Sequence, residues 1–273
     1  MTMNNVIQID VEKILAAKAG KKARYIPRFV VSYLKKIIHQ DEVNQALRTF
    51  GHKTDLDFIN AFMEYFNNSF EVHGLENLPQ DDRCYTFVSN HPLGAQDGLG
   101  LAYILGPVYK GKVKFLVNDL LMNIPQISSF WVPINKTGKQ ARNFPQQVNA
   151  AFQSDNHIVM FPAGLCSRKK KGVIKDLPWK KTFITKSIQS QRDIIPIHFE
   201  GENSKFFYRL ANINQMLGIK FNIAMLYLSD EMFKNKNKKF KVTIGKPIPW
   251  QTFDKTKNAT DWAQYVQDVV YAL

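Results

Sequence analysis

The sequence predicts an α/β fold: a mixed, largely parallel sheet flanked by helices and preceded by an N-terminal helical segment. Three observations predict it. From about residue 69, short runs rich in β-branched and aromatic residues alternate with stretches of helical spacing. Residues 1–66 instead place apolar side chains at steps of three and four, the period of one helix face. Finally, 273 residues with 45% hydrophobic and 22% charged composition suffice for one large domain with an ordinary core.

The elements follow in order. In the helical segment, 1–66, one stripe runs through Ile26, Phe29, Val30, Tyr33, Leu34, Ile37 and Ile38, and Pro27 suits a first-turn position. Lys18, Lys21, Lys22, Arg24, Arg28, Lys35 and Lys36 surround that stripe. Such a basic amphipathic helix suits an anionic membrane surface; a helix packed on the main domain with its lysines in water has the same pattern. In the main domain, 67–273, strands are predicted at 70–73, 85–89, 113–117, 130–134, 157–161, 194–199 and 240–244. Helical spacing marks 99–105, 140–152 and 179–189. Functional residues of such a sheet gather at the carboxyl ends of its strands.

Charge narrows the partners. With 37 Lys and Arg against 23 Asp and Glu, the net charge of +14 favours nucleic acid, an acidic lipid surface or an acidic carrier protein. Nucleic acid is disfavoured, because no aromatic residues interleave with the one compact basic run, Arg168 to Lys171, and no helix-turn-helix, RRM or finger signature occurs. Cys84 and Cys166 stand alone, without CxxC or metal-ligand spacing, so no metal site and no disulfide framework is expected. No run is apolar enough to span a bilayer and no signal peptide is evident. The expectation is a reduced, cytoplasmic protein.

Two segments carry the chemistry. In the first, a strand ends at Asn90, His91 follows, Pro92 and Gly94 shape a turn, and Asp97 precedes a helix. An imidazole and a carboxylate at such a corner can form a general base with its orienting acid; a hydrogen-bonded turn histidine has the same local sequence. In the second, a buried-type strand runs through Phe161 into Pro162 and Gly164, then into Ser167 and a cationic loop at Arg168–171 suited to an anion. Cys166 within it is either a nucleophile or an inert buried thiol. Neither a P-loop nor a GxGxxG nor a GxSxG elbow occurs, which leaves little support for nucleotide chemistry or for a serine thioesterase or lipase.

Together these segments resemble the glycerolipid acyltransferase family, which contains the 1-acylglycerol-3-phosphate O-acyltransferases. Asn90-His91 with Asp97 is similar to its His/Asp block, and Phe161-Pro162-Ala163-Gly164 with Ser167-Arg168 to its Phe-Pro-Glu-Gly block. Two weaker blocks fall in order, a strand ending at Lys136 and the Pro-centred Ile195-Pro196-Ile197, and the likeness covers about residues 70–250. The resemblance implies that His91 is general base on a lyso-lipid hydroxyl and that Asp97 orients it. Backbone amides around 94–98 would hold the oxyanion. Asn90, Lys136, Arg142, Phe161, Pro162, Gly164, Ser167, Arg168 and Pro196 would contact the substrates. It implies no metal and no bound cofactor, an acyl-CoA or acyl carrier protein thioester as co-substrate, and peripheral attachment to the inner face of the membrane.

Two departures qualify the match. Five residues rather than four separate His91 from Asp97, and six steps of a regular helix would turn the two side chains about 120° apart, so the turn must absorb one residue. Ala163 replaces the family's Glu and Lys136 its Arg, positions that help hold the acceptor's polar head. The chain is thus similar to the bacterial haemolysin-like branch, whose O-acyltransferases include ones that complete amino-acid-containing lipids. The remaining readings are an ordinary phosphatidic-acid-forming acyltransferase and, in another class, a non-catalytic basic protein that binds lipid surfaces.

Overall fold

The computed structural model describes residues 8–118, 124–134, 144–218 and 223–273. Asp10 caps α1 (Val11–Ala19) by accepting from the amides of Glu12 and Lys13. A 3-10 stretch, Gly20–Tyr25, leads to α2 (Arg28–Ile38), with Pro27 one position ahead of the helix rather than in its first turn. α3 (Gln40–Phe50) and α4 (Asp55–Phe66) complete the N-terminal helices. The stripe on α2 is divided: Ile37 is buried, whereas Phe29 and Tyr33 face solvent.

The sheet comprises β1 (Ser69–His73), β2 (Thr86–Ser89), β3 (Val113–Asn118), β4 (Trp131–Ile134), β5 (His157–Met160), β8 (Ile194–Phe199) and β9 (Lys239–Ile244), in the order β1-β9-β8-β2-β5-β3-β4. All seven are strands expected from the residue pattern, within a residue at either end. β8, β2, β5, β3 and β4 run parallel, and β9 and β1, parallel to each other, run against them through the β8–β9 pairing. The sheet is therefore mixed and largely parallel.

Side chains alternate between two cores, as the period of two requires. Phe87, Val113, Phe115 and Ile197 face a core shared with α4 and with α5 (Ala95–Val108). Val88, Leu116, Ile158 and Met160 face the other, closed by α6 (Phe144–Gln153), α7 (Thr182–Ser190) and α10 (Ala259–Ala272). Because Phe58, Phe62 and Phe66 of α4 lie in the same core as the sheet, residue 66 marks a change of secondary structure and not a break in packing.

One topological fact places the site. From β2 the chain crosses through α5 to β3, passing over β5; from β5 it crosses through α7 to β8, passing back over β2. Right-handed crossovers leaving neighbouring strands in opposite directions put their helices on opposite faces and open a crevice between the two carboxyl ends. The segments after β2 and β5 are the two that carry His91 and Phe161.

The expected cationic loop is different in the structure. Arg168–Lys170 is a strand, β6, paired antiparallel with β7 (Val173–Lys175) through a two-residue turn in which Lys171 and Gly172 both have positive φ, 49° and 83°. Such a turn matches the twist of a hairpin. Further helices not expected from spacing are α8 (Lys205–Met216), α9 (Leu228–Lys234) and α10.

Candidate active site

His91 lies two residues beyond β2, and α5 does not begin until Ala95, so the helical offset between His91 and Asp97 never applies. Gly94 absorbs the extra residue. Its φ of +82° reverses the chain, and a Cβ there would lie 2.9 Å from Leu228 and 3.1 Å from the Cys166 sulfur. Asp97, in the first turn of α5, folds its carboxylate back: Oδ2 accepts from the amides of Leu93 (2.8 Å) and Gly94 (3.2 Å). Oδ1 is left facing His91 Nδ1 at 2.9 Å, and neither of those atoms has a well-aligned hydrogen bond among the described residues. They are in contact, and become an ion pair when the imidazole is protonated.

Asp97 is fully buried while His91 keeps 19% of its side chain exposed, so the ring is reachable and its acid is not. Phe161 stacks on the imidazole with ring centroids 4.2 Å apart. Burial alone would lower the His91 pKa, but the negative charges of Asp97 and, more weakly, Asp176 outweigh it and hold it above its ordinary value. With Nδ1 committed to Asp97, Nε2 is the nitrogen free to exchange a proton, and no described residue hydrogen-bonds it.

The residue that sequence reasoning missed is Asp176, which follows β7. Its Oδ1 accepts from Ser167 Oγ (2.5 Å) and from the His91 amide (3.2 Å), and its Oδ2 from the Trp179 indole (2.9 Å). Its own amide donates to Tyr271 Oη at 2.7 Å, tying α10 to the same point. Burial pushes the Asp176 carboxyl up against the pull of these donors. Local motifs do not link position 176 to 91; the Lys-Gly turn between two short strands is the sequence signal for the hairpin that joins them.

The other expected site residues divide. Ser167 touches the site through its amide, which donates to the His91 carbonyl at 2.8 Å, but its hydroxyl is spent on Asp176. Gly164, with φ +68°, closes a turn onto the Phe161 carbonyl, and the Pro162 carbonyl accepts from Lys180. Arg168 is buried in a strand and not in a loop; it donates to the Cys166 carbonyl and borders a cavity of about 190 Å³ with Lys170, Lys175 and Asp176. Asn90 is not available to a substrate, since its amide clamps the backbone of Phe199 at both ends, 2.7 and 2.9 Å. Pro196 sits in mid-sheet opposite Val88, three residues short of the strand end, and so does not reach the site. Lys136 and Arg142 lie outside the described residues.

One further expectation changes, and one alternative is decided. Gly94 cannot offer its amide to an oxyanion because Asp97 already accepts it, which leaves the later first-turn amides of α5. Cys166 is buried and its thiol is pushed up by that burial, the condition of an inert cysteine. Ala163 is buried too, its methyl packed in the apolar cluster with Trp179 and Phe183. Among the described residues no group of His, Cys, Asp and Glu is placed to hold a metal ion, and no helix is long and apolar enough to cross a membrane.

Comparison with known proteins adds four findings. A family model described as acyltransferase matches residues 13–273. A lyso-glycine lipid O-acyltransferase of Phocaeicola vulgatus is 63% identical over 273 residues, which cover 100% of this chain and 98% of that one. Another of that name, from Bacteroides thetaiotaomicron, is 62% identical over 273 residues and all of both chains. Among solved structures, the 1-acyl-sn-glycerophosphate acyltransferase of Thermotoga maritima aligns with 95% of this chain and 87% of its own, at a TM-score of 0.47 and 17% identity.

Proposed function

The chain belongs to the acyltransferase family, and on that premise we propose that it moves a fatty acyl group from a thioester donor to the free hydroxyl of a lyso-lipid with an amino-acid head, glycine first among the candidates. The observation that carries the chemistry is the His91–Asp97 pair, 2.9 Å apart at the crevice between β2 and β5. The full-length similarity to two lyso-glycine lipid O-acyltransferases supports the acceptor.

In this reading His91 Nε2 takes the proton from the acceptor hydroxyl as its oxygen bonds to the thioester carbonyl carbon. Asp97 holds the Nδ1–H tautomer and stabilises the imidazolium. The tetrahedral intermediate then collapses, the carbon–sulfur bond breaks, and the proton on Nε2 passes to the departing thiolate. The products are the O-acyl lipid and a free thiol, and His91 is neutral again. In this reading the first-turn amides of α5, at the positive end of its dipole, receive the oxyanion. No resident cofactor enters the scheme; acyl-CoA or an acyl carrier protein supplies the thioester. Basic groups near the site, Arg168 and Lys170 among them, suit either anionic donor. The basic face of α2 supports peripheral association with an anionic inner leaflet.

Ala163 supports the amino-acid head over a glycerol phosphate. Its methyl is enclosed by apolar side chains, so this position offers no acceptor to a polar head group. A competition assay with a lyso-glycine lipid and 1-acylglycerol 3-phosphate at equal concentration tests the assignment through the ratio of kcat/KM values. We expect the glycine acceptor to lead by about tenfold or more. A comparable lead for the phosphate acceptor overturns the head-group assignment and leaves the roles of His91 and Asp97 standing.

A further inference from the structure

α2 is not the only helix that turns apolar groups toward water. α8 is two-faced. Phe207, Tyr208 and Ala211 pack inward around Cys166. Phe206, Ile213 and Met216, at steps of seven and three, point outward with 49%, 48% and 76% of their surface exposed. Isolated exposed apolar residues are ordinary, but a contiguous set of them marks an interaction surface.

Contiguity is what the structure provides. The Phe206 ring lies 5.0 Å from that of Tyr227, and the Tyr227 hydroxyl is 2.6 Å from the hydroxyl of Tyr33 on α2. One turn earlier on α2, Phe29 is 75% exposed. An aromatic band therefore passes from one helix to the other, joined at the seam by the Tyr33–Tyr227 hydroxyl pair.

From this band we infer that α2 and α8 form one composite docking face whose occupant is an anionic bilayer surface. The inference rests on the proposed lipid acceptor and adds a second helix, which the periodicity of the sequence did not show. Charge selects the occupant. α2 carries Arg28, Lys35 and Lys36, α8 carries Lys205 and Arg209, and neither helix contains an Asp or Glu. Lys35 pairs with Glu12 and Asp230 lies near Tyr227, but the other cations of the two helices leave a positive excess. Aromatic and aliphatic groups among such an excess suit acidic head groups over an apolar interior. A second copy of the chain, itself +14, would bring the same cations face to face.

Position gives the face a purpose. Asn203, at the approach to α8, donates its side-chain amide to the Pro92 carbonyl at 2.9 Å, in the turn that follows His91. Cys166, against which α8 packs, lies beside Gly94 of that turn. A bilayer seated on α8 thus lies one helix away from the imidazole, and an amphiphilic acceptor leaving it has a short path.

The test uses the full chain and vesicles of phosphatidylcholine with or without phosphatidylglycerol. Phe206→Ser/Ile213→Ser on α8 is compared with Phe29→Ser/Tyr33→Ser on α2 by cosedimentation. Each double variant should lose about tenfold or more in partitioning onto anionic vesicles. Both should keep the wild-type melting temperature and the wild-type turnover of a short-chain acceptor dissolved as monomers. If the α8 variant partitions like wild type while the α2 variant does not, lipid is bound by α2 alone and the composite face is wrong. A wild-type dimer that the α8 substitutions split without loss of vesicle binding also overturns it, making the face a contact between copies. Vesicle binding needs no chemistry, so a chain that docks through α8 yet transfers no acyl group would defeat the proposed function and not this inference.

Discussion

The central strands carry a histidine at each end. His91 follows β2 at its carboxyl end, and His157 begins β5, the adjacent strand, at its amino end. Both sit against aromatic rings, His91 on Phe161 and His157 on Tyr85 and Tyr109, and both lose much of their water. Their proton affinities diverge. At His91, the burial that would lower the pKa is overcome by Asp97, with help from Asp176, and the value rises. At His157, burial, reinforced by the positive charge of Arg192, lowers it to about 4. The His157 Nδ1 accepts from the Tyr85 amide, which suits a ring that stays neutral down to low pH. Similar burial yields a proton acceptor at one end and a structural cap at the other, and the carboxylates make the difference.

The sharpest way to break this comparison is to remove the working ring. His91→Ala should fold with a wild-type melting temperature and lose about 10²–10⁴ in kcat/KM, the usual contribution of a general base. Asp97→Asn should come close to it. The Asn oxygen can still accept from Leu93 and Gly94, but its amide then points at Nδ1 as a donor, forces that nitrogen to accept, and leaves the proton on Nε2, where the base is needed. Steady-state kinetics at matched stability checks both; wild-type turnover in His91→Ala would equate the two histidines and end the proposed mechanism.

How much of this difference the sequence could show follows from range. The seven sheet strands were legible because runs of β-branched and aromatic residues are a local signal, and His91 with Asp97 because a motif holds them within one turn of chain. Ser167 and Phe161 also came from a contiguous block. What distance along the chain separates was not legible. Asp176 reaches His91 only because the β6–β7 hairpin folds back, and the lysines of that hairpin read as a cationic, anion-binding loop when charge was weighed without the Lys171-Gly172 turn. Asn90 and Pro196 show the converse: motif membership marked them for substrate, while Asn90 holds the end of β8 and Pro196 is mid-sheet. A short motif fixes which residues travel together, and not which face the ligand.

Asp176 offers an intermediate perturbation. It touches the His91 amide and not the ring, so it acts as a positioning residue with an added charge. In Asp176→Asn the amide nitrogen must face a donor, either the Trp179 indole or the Ser167 and His91 pair, at a cost of about 1–3 kcal/mol in stability. Because His91 must be neutral to act, activity falls as pH drops through its raised pKa. Removing one of the two charges that raise it should move this acid limb of kcat/KM toward lower pH. We expect about a tenfold loss of rate at the optimum, together with that shift. An unmoved acid limb would reduce Asp176 to a structural role.

The smallest effect on catalysis should come from the other histidine. In His157→Gln the side-chain oxygen can still accept from the Tyr85 amide, and the new group does not titrate. Turnover should stay at the wild-type value, because position 157 lies at the far end of the strands from the site. Stability should separate the proteins instead, and the sign is determined. A histidine whose folded pKa is about 4, below its ordinary 6.5, stabilises the fold above pH 6.5 and loses that contribution as pH falls from 6.5 to about 4. The full difference corresponds to roughly 3 kcal/mol, an upper bound for this side chain. Wild type should therefore lose stability faster than His157→Gln on acidification through this window, whatever repacking offset separates them at neutral pH. Urea unfolding at pH 7 and at pH 4.5 measures it. Parallel loss in the two proteins would show that His157 does not resist protonation in the fold, and the contrast between the two ends of the sheet would then rest on the Asp97 pair alone.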